Sequence, residues 1–404
     1  MFHVAWREPR LDWLLSEFRL LVNESIRVAV KDGIRSRALL ARACYRDLSA
    51  RHAVYKQYIL SAFGVALGTL KTYRRRLRKG KRSSVPYVRR LILKAENQSF
   101  RLDRRTGGLR VPIRAREYIE FDLPLGEWHR TFLEDPTWGL GSLTIVPGKV
   151  IVVVRKETPK AFEPEAVIAL DTNEDSLDGV VASGDDAKFV ALPFGRVRRV
   201  QAVHFRRRRR LARKKAHDRR VQRILLDREG RRERNRVRQR LHHVSKRLVA
   251  FAKQRRAAIV LEDLTLHGAG GRSRRMNRRL SSWPRRLIHR QIEYKAALEG
   301  VPVIKVNPHW TSKICPACGA RRRDRVGKVF ECLQCEWRMD RQLNAGLNIL
   351  KTALASNEAL ARAVRFQPGA LRDDVVSPLY DLPRGGAGAR DEPSGVELGV
   401  SRIA

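Results

Sequence analysis

Long apolar runs are missing from this chain of 404 residues. The longest, such as Val150–Val154 and Ala166–Leu170, fall far short of the ~20 residues a spanning helix needs. No membrane segment is therefore expected. The opening residues, Met1-Phe2-His3-Val4-Ala5-Trp6-Arg7-Glu8, lack a basic stretch followed by an apolar one, so a secretory leader is not expected either. Cysteine is scarce: five in the whole chain, too few for a disulfide framework at this length. Acidic residues are few beside the basic ones, 42 Asp+Glu against 85 Lys+Arg, a formal net charge of +43. Such an excess repels itself and persists where the partner is a polyanion. With 43% hydrophobic residues the chain can bury packed cores, so it is not a wholly disordered basic tail. Nucleic acid is the partner this composition selects, and a ribosomal-type RNA binder is its plainest form.

The length suggests two to three domains at about 150 residues each. Over 1–85 the texture is helical: Leu11, Leu14, Leu15, Phe18 and Leu21 repeat at three- and four-residue spacing. Tyr55, Tyr58, Ile59, Phe63, Leu67 and Leu70 continue the pattern up to the basic run Arg74–Lys79. From Pro86 to about 160 short β-type runs alternate with turns, at Leu109–Ile113, Glu117–Leu123, Gly141–Val146 and Lys149–Arg155. Pro147-Gly148 marks a hairpin between the last two. A third region, 161–310, opens with the continuous apolar run Ala166–Leu170, as in a strand buried on both faces. Strands at Asp178–Ser183 and Phe189–Leu192 follow. Residues 196–256 read as one long basic helical region with Gly230 as a break and an apolar stripe of Leu241, Val244, Leu248 and Phe251. Ala257–Glu262 is a second buried-strand pattern, and 268–284, rich in Gly, Ser and Arg, reads as mobile. A helix over Arg285–Glu299 stops at Gly300, and Val301–Val306 is a further strand. A cysteine segment at 311–337 and an amphipathic helix within 338–365, carrying Leu343, Leu347, Leu350 and Leu354, complete the ordered part. Residues 366–404 have no sustained period and are expected to be disordered. No internal repeat is evident.

The cysteines carry the strongest local signal. Cys315-x-x-Cys318 and Cys332-x-x-Cys335, with residues 319–331 between them, let four thiolates meet at one tetrahedral Zn²⁺. Four protein ligands make a closed, structural site. Cys44 stands apart in a helical stretch as a small packing residue. Catalysis must then come from elsewhere. Asp171 and Glu262 each end a buried apolar run, where a bare charge is costly and where functional groups of parallel sheets gather. With a third carboxylate such a pair can hold two Mg²⁺ ions for phosphodiester cleavage, since hard cations take oxygen ligands. Singly, each is equally well read as a strand-end carboxylate meeting solvent. The run Arg206, Arg207, Arg208, Arg209 and Arg210 puts charge all round a helix, suited to phosphates on several faces. Its plain alternative is a solvated face.

Four ordered segments resemble the TnpB-type (OrfB) proteins of insertion sequences, relatives of the type V CRISPR nucleases. Ile168-Ala169-Leu170-Asp171-Thr172-Asn173 is similar to the first nuclease motif and Ile259-Val260-Leu261-Glu262-Asp263-Leu264 to the second. Tyr294-Lys295-Ala296 through Gly300, then Val306-Asn307-Pro308-His309-Trp310-Thr311-Ser312-Lys313-x-Cys315, resembles the approach to the zinc ribbon. Asp340-Arg341-Gln342-Leu343-Asn344-Ala345-Gly346-Leu347-Asn348-Ile349-Leu350 resembles the third motif. The resemblance covers roughly 165–355. It implies an α+β multidomain chain: a helical recognition region and a β-rich wedge before a ribonuclease H-like (RuvC-like) nuclease domain with an inserted zinc ribbon. It further implies a guide RNA and target double-stranded DNA as partners, Mg²⁺ held by Asp171, Glu262 and Asp340, and a place in the prokaryotic cytoplasm with the nucleoid. No tyrosine or serine strand-transfer site is identifiable, so a role in transposition is implied by resemblance only.

One position departs from the pattern. The third motif commonly reads Asp-Arg-Asp, and here its last place is Gln342, leaving Asp340 as the motif's one carboxylate. Inside a helix two residues differ by about 200° in direction, so Asp340 could not simply substitute. As an N-cap just outside the helix it can be re-aimed, or it can serve the cap alone. A carboxamide oxygen of Gln342 as a weak Mg²⁺ ligand is a third possibility. Three functions follow: an RNA-guided DNA endonuclease, a guide-directed DNA binder impaired in cleavage, and a basic zinc-ribbon RNA-binding protein.

Overall fold

The computed structural model describes residues 1–6, 8–214, 216–264, 273–321 and 328–365; the tail expected to be disordered lies outside them. The chain is mixed α+β and divides into two compact units, Met1–Glu157 and Thr158–Ala404.

The first unit opens with three helices, α1 (Pro9–Lys31), α2 (Arg37–Arg51) and α3 (Gln57–Arg78). The periodic residues Leu11, Leu14, Leu15, Phe18 and Leu21 are all fully buried on α1, as are Tyr58, Ile59, Phe63 and Leu70 on α3. The strands are β1 (Phe2–His3), β2 (Leu93–Ala95), β3 (Arg101–Leu102), β4 (Gly108–Arg114), β5 (Glu117–Asp122), β6 (Gly139–Val146) and β7 (Lys149–Arg155), with a short helix α4 (Glu127–Leu133). They form two antiparallel sheets, in the orders β1-β7-β6-β2 and β3-β4-β5. The expected hairpin turns at Pro147-Gly148, where Gly148 takes φ +75°, a left-handed angle that glycine adopts freely. Helices and strands share one apolar cluster running from Phe2 to Val150, and Cys44 packs within it.

The second unit is built on a five-stranded sheet. β8 (Ala166–Thr172), β9 (Ser176–Ser183) and β10 (Asp186–Pro193) form an antiparallel meander. The chain then passes through helices α5 (Val197–Lys214) and α6 (Arg219–Gln254) before β11 (Ala257–Glu262) pairs in parallel with β8. Helices α7 (Arg274–Ser282) and α8 (Arg285–Glu299) lead to β12 (Val303–Val306), parallel to β11, so the order is β10-β9-β8-β11-β12. A small hairpin of β13 (Val329–Glu331) and β14 (Arg338–Asp340) precedes α9 (Arg341–Ser356) and α10 (Glu358–Ala363). The apolar runs are continuous because both sheet faces are covered. Ile168 and Leu170 join a cluster with α6 and α8, while Val167 and Ala169 join another with α9.

Two expectations are corrected. The basic region does break into two helices, but the break falls before Asp218 and Gly230 lies inside α6. The chain resets at Asp218, whose carboxylate accepts from the Val221 N–H, and an N-cap is a stronger boundary than a helical glycine costing about 1 kcal/mol. The stretch read as mobile is helical from Arg274, where the Ser273 hydroxyl caps α7; residues 265–272 lie outside the described part.

Helix α9 rides close to the sheet because glycine meets glycine. A Cβ on Gly346 would lie 2.6 Å from the Gly179 Cα, closer than real contacts allow. Gly346→Ala should therefore destabilise by about 1–3 kcal/mol through overpacking. Gly230→Ala, which would meet only the flexible Arg234 guanidinium, should stabilise by up to about 1 kcal/mol. Thermal melts of the two variants should move in opposite directions, and equal shifts would count against the tight α9–sheet packing.

Candidate functional site

Two strand ends meet at one sheet edge. Leu170 of β8 stands opposite Leu261 of β11, so Asp171 and Glu262 follow side by side at the carboxyl ends of parallel strands. Glu262 is 4% exposed. The Asp171 carboxyl is pushed well above its usual range by burial first, then by the charge of Glu262 and a hydrogen bond with it, and then by Asp178. Two carboxyl groups in such contact need a proton or a cation between them.

Asp178 is a carboxylate the sequence reading placed at a strand start without giving it a role. β9 sets it directly opposite Asp171, and it is 6% exposed. Cross-strand partners of this kind have Cβ atoms about 4.5–5.5 Å apart. The Ser176 hydroxyl and the Asn173 side-chain amide donate to its Oδ2 at 2.5 and 2.8 Å. Burial raises the Asp178 carboxyl, these two donors oppose the rise, and the charge of Asp340 adds to it. Counting residues back around the short turn between the strands would have found it.

Asp340 is the last residue of β14 and the N-cap of α9. Its Oδ1 accepts from the N–H groups of Gln342 (2.8 Å) and Leu343 (3.4 Å). The residue is exposed, and Gln342 sits half-buried in the first turn. Among the described residues the four cysteines are the only group of three or more candidate ligands whose atoms all lie within 4.8 Å of one another. The charge of Asp340 reaches Asp178, which places the cap of α9 on the same side of the sheet as that carboxyl group.

Neighbours hold the strand ends in place. The Thr311 hydroxyl donates to Glu262 Oε1 at 2.5 Å. Thr172, next to Asp171, lies 2.7 Å from His289 Nε2 of α8. Burial, with the charge of Lys305, pulls His289 down to about 4, so this imidazole is neutral at neutral pH.

The cysteine knuckles fit a tetrahedral metal such as zinc. Cys315 and Cys335 sulfurs are 3.6 Å apart and Cys318 and Cys332 sulfurs 3.5 Å. Four sulfurs at about 2.3 Å from one Zn²⁺ would stand about 3.8 Å apart. Gly319, at φ +77°, closes the first knuckle. Burial pushes the Cys315 thiol up to about 12. Burial also acts on Cys332, yet the N–H groups of Gln334 and Cys335 together with hydrogen bonds from the Cys318 and Cys335 thiols outweigh it and hold that thiol at about 7.

The arginine run is divided by its packing. Arg208 is half-buried in an ion pair with Glu233 of α6, while Arg206, Arg207, Arg209 and Arg210 are exposed. The expectation of charge on every face is thus corrected: one face of α5 is spent on α6. There His204, 1% exposed, contacts Glu229 at 2.7 Å. A groove between the two helices is lined by Arg207, Arg210, Lys214, Arg228 and Arg232. A second cleft, lined by Glu174, Arg198, Arg275, Arg278 and Trp283, opens by the β8–β9 turn, where the Trp283 indole N–H donates to Asn173 O at 2.8 Å.

The Cas12f1-like TNB domain family model matches residues 286–349. The TnpB-like protein MJ0751 of Methanocaldococcus jannaschii is 28% identical over 244 residues, 58% of this chain and 87% of that one. The TnpB-like protein MJ1635 of the same organism is 26% identical over 303 residues, 74% of this chain and 69% of that one. The fold resembles Cas12f1 as solved in a Cas12f1–sgRNA–target DNA complex, at 16% identity and a TM-score of 0.58, over 86% of this chain and 83% of that one. A mixed α+β chain with a cysteine-knuckle insertion is the class defined here. Within it, the chain is similar to TnpB-like proteins and to type V CRISPR effectors of the Cas12f kind.

Replacing Cys332 with Ser, or treating the protein with a chelator, should lower bound zinc and open residues 311–337 to protease, because metal binding and local folding are coupled. Elemental analysis with limited proteolysis reads both; a chelated protein with unchanged cleavage there would remove the structural role.

Proposed function

We propose that the protein is an RNA-guided DNA endonuclease with a RuvC-like domain in its second unit. The observation that carries this reading is the contact of Asp171 with Glu262 at the ends of adjacent parallel strands in a chain similar to TnpB-like proteins. Bound Mg²⁺ would activate water and stabilise the leaving oxygen of a DNA phosphodiester. Asp171 and Glu262 fit such a cation, since their enforced contact is unfavourable without positive charge between them. Asp178 and Asp340 add negative charge on the same side, and Thr311 and His289 fix the geometry of the strand ends. Arg275 and Arg278 stand beside the β8–β9 turn as partners for phosphates of the strand being cut. The exposed cations of α5 and α6 would bind guide and target backbone, leaving sequence to base pairing. Zn²⁺ would hold the ribbon at 311–337. The regions 1–85 and 86–160 would serve as recognition and wedge elements, with 161–310 and 338–365 forming the nuclease. No helix of the described residues is long and apolar enough to cross a membrane, and the reading places the protein with nucleoid DNA.

A second reading, a guide-directed binder impaired in cleavage, is favoured by one feature: Gln342 stands where the third motif commonly has Asp. The protein loaded with its co-purifying RNA and given matched DNA separates the two. Under the first reading Mg²⁺-dependent cutting is present, Asp171→Asn and Glu262→Gln abolish it with guide binding intact, and Asp340→Asn or Asp178→Asn identifies the third carboxylate. Under the second, cutting is weak until Gln342→Asp raises it. No cutting by either native protein or Gln342→Asp would remove the nuclease reading.

The packing of α5 makes a separate prediction about charge. Replacing Arg207 and Arg210 together should weaken binding to every nucleic-acid sequence and reduce the slope of log K against log salt by about 2. Arg208→Ala should leave the slope nearly unchanged and lower the melting temperature. An equal effect on the slope from both changes would show that Arg208 is free to meet phosphate.

A further inference from the structure

The loop between β12 and the first cysteine knuckle turns sharply at Trp310, which holds φ at +70°, a left-handed backbone that bulky residues rarely adopt. Such outliers persist where the surroundings over-determine them, often beside functional groups. Here the turn is closed by the Lys313 and Ile314 N–H groups, which donate to Trp310 O at 2.8 and 3.1 Å. Thr311, the next residue, is driven inward and is 5% exposed. Its hydroxyl lies 2.5 Å from Glu262 Oε1 and 3.2 Å from Pro308 O. A hydroxyl has one proton to give, and the shorter contact to a carboxylate takes it. The backbone of the loop is held from the other side by α9. Asn348 Nδ2 donates to Thr311 O and Ile314 O, both at 2.7 Å, and Asn344 Nδ2 donates to Ile314 O at 3.1 Å.

We propose that Thr311 is a positioning residue for metal binding by Glu262. Its hydroxyl pins one carboxylate oxygen and fixes the side chain beside Asp171, where the two carboxyl groups would hold a divalent cation. A glutamate has three rotatable bonds, and without a fixed partner its ordering entropy is lost again at every metal-binding event. Carboxylates that ligate metals are themselves hydrogen-bonded for this reason. Thr311 also links two parts of the molecule. Its side chain meets Glu262 of β11, its carbonyl is tied to the helix that Asp340 caps, and Cys315 follows four residues later. The carboxylate is thus oriented by the loop leading into the ribbon, not by its own strand alone. The proposal rests on reading Glu262 as a ligand.

The test is a calorimetric titration of the full chain with Mn²⁺, without nucleic acid, on native protein and on Thr311→Val, Thr311→Ala, Thr311→Ser and Glu262→Gln. Thermal melts alongside report whether each variant is folded. Thr311→Val and Thr311→Ala should weaken Mn²⁺ binding about 10-fold or more, the range in which groups supporting a ligand act. Thr311→Ser, which restores the hydroxyl, should stay within about threefold of native on the same reasoning. Native affinity in a folded Thr311→Val or Thr311→Ala protein overturns the proposal, as does a Thr311→Ser protein as weak as either. A buried threonine that only fills space would not separate Ser from Val in this way. If Glu262→Gln binds Mn²⁺ as tightly as native protein, the ligand reading itself falls; if it binds weakly while Thr311→Val binds tightly, Thr311 alone is acquitted.

Discussion

Two carboxyl groups that touch in a buried site cannot both keep their charge without a proton or a cation to separate them. The contact between Asp171 and Glu262 is of this kind, and much of the second unit is arranged to enforce it. Parallel pairing of β8 with β11 brings both residues to one edge. Apolar cover on both faces of the sheet denies the strands the freedom to slide apart. Antiparallel β9 then adds Asp178 opposite Asp171, and the close approach of Gly346 to Gly179 draws α9, with Asp340 at its cap, down onto the same strand. Each arrangement raises local negative charge. The packing that builds the sheet supplies the energy to hold these groups together, and a proton or a cation is what would relieve their repulsion.

The rest of the chain carries the opposite sign. The excess of basic residues is concentrated where it cannot neutralise the carboxylates directly, on α5, α6 and α7. Only part of it is spent internally. Arg208 pairs with Glu233, and Arg198 and Arg279 pair with Glu174 at the β8–β9 turn. The exposed Arg198 and Arg279 pairs contribute little stability, about 0–1 kcal/mol each. What anchors α6 is its apolar stripe, Leu241, Val244, Leu248 and Phe251, all buried against the sheet. The arginines are thereby left on a rigid support facing solvent, a form suited to a polyanion whose backbone is read as shape and charge.

Much of this was legible before any coordinates. The three- and four-residue apolar period located α1, α3, the second half of α6 and α9. Continuous apolar runs located β8 and β11, because a strand covered on both faces has no polar side to alternate with. Cysteine spacing located the knuckles, since two C-x-x-C pairs bring four sulfurs within reach of one ion. Asp171 and Glu262 were legible as carboxylates closing apolar runs. These signals are local: each depends on residues a few positions apart, and backbone geometry converts that spacing into structure with little choice.

The remainder depended on which elements lie side by side. Asp178 looked like an ordinary strand residue until the β8–β9 register set it opposite Asp171. Asp340 could be a ligand, a cap or both by its place in the motif; the structure makes it the cap of α9 and brings its charge to Asp178. Arg208 was indistinguishable from the other four arginines until α6 presented Glu233 to it. Gly230 was read as a break because propensity is a weak preference, and the packing of α6 along the sheet overrides its cost. Thr311 became significant only when a loop folded back from beyond β12 onto the end of β11. The local pattern of this sequence therefore determined its elements and the kinds of chemistry they carry. Tertiary structure alone decided which charges meet, because proximity between distant residues is set by the packing of whole elements and leaves no trace in the spacing of any one of them.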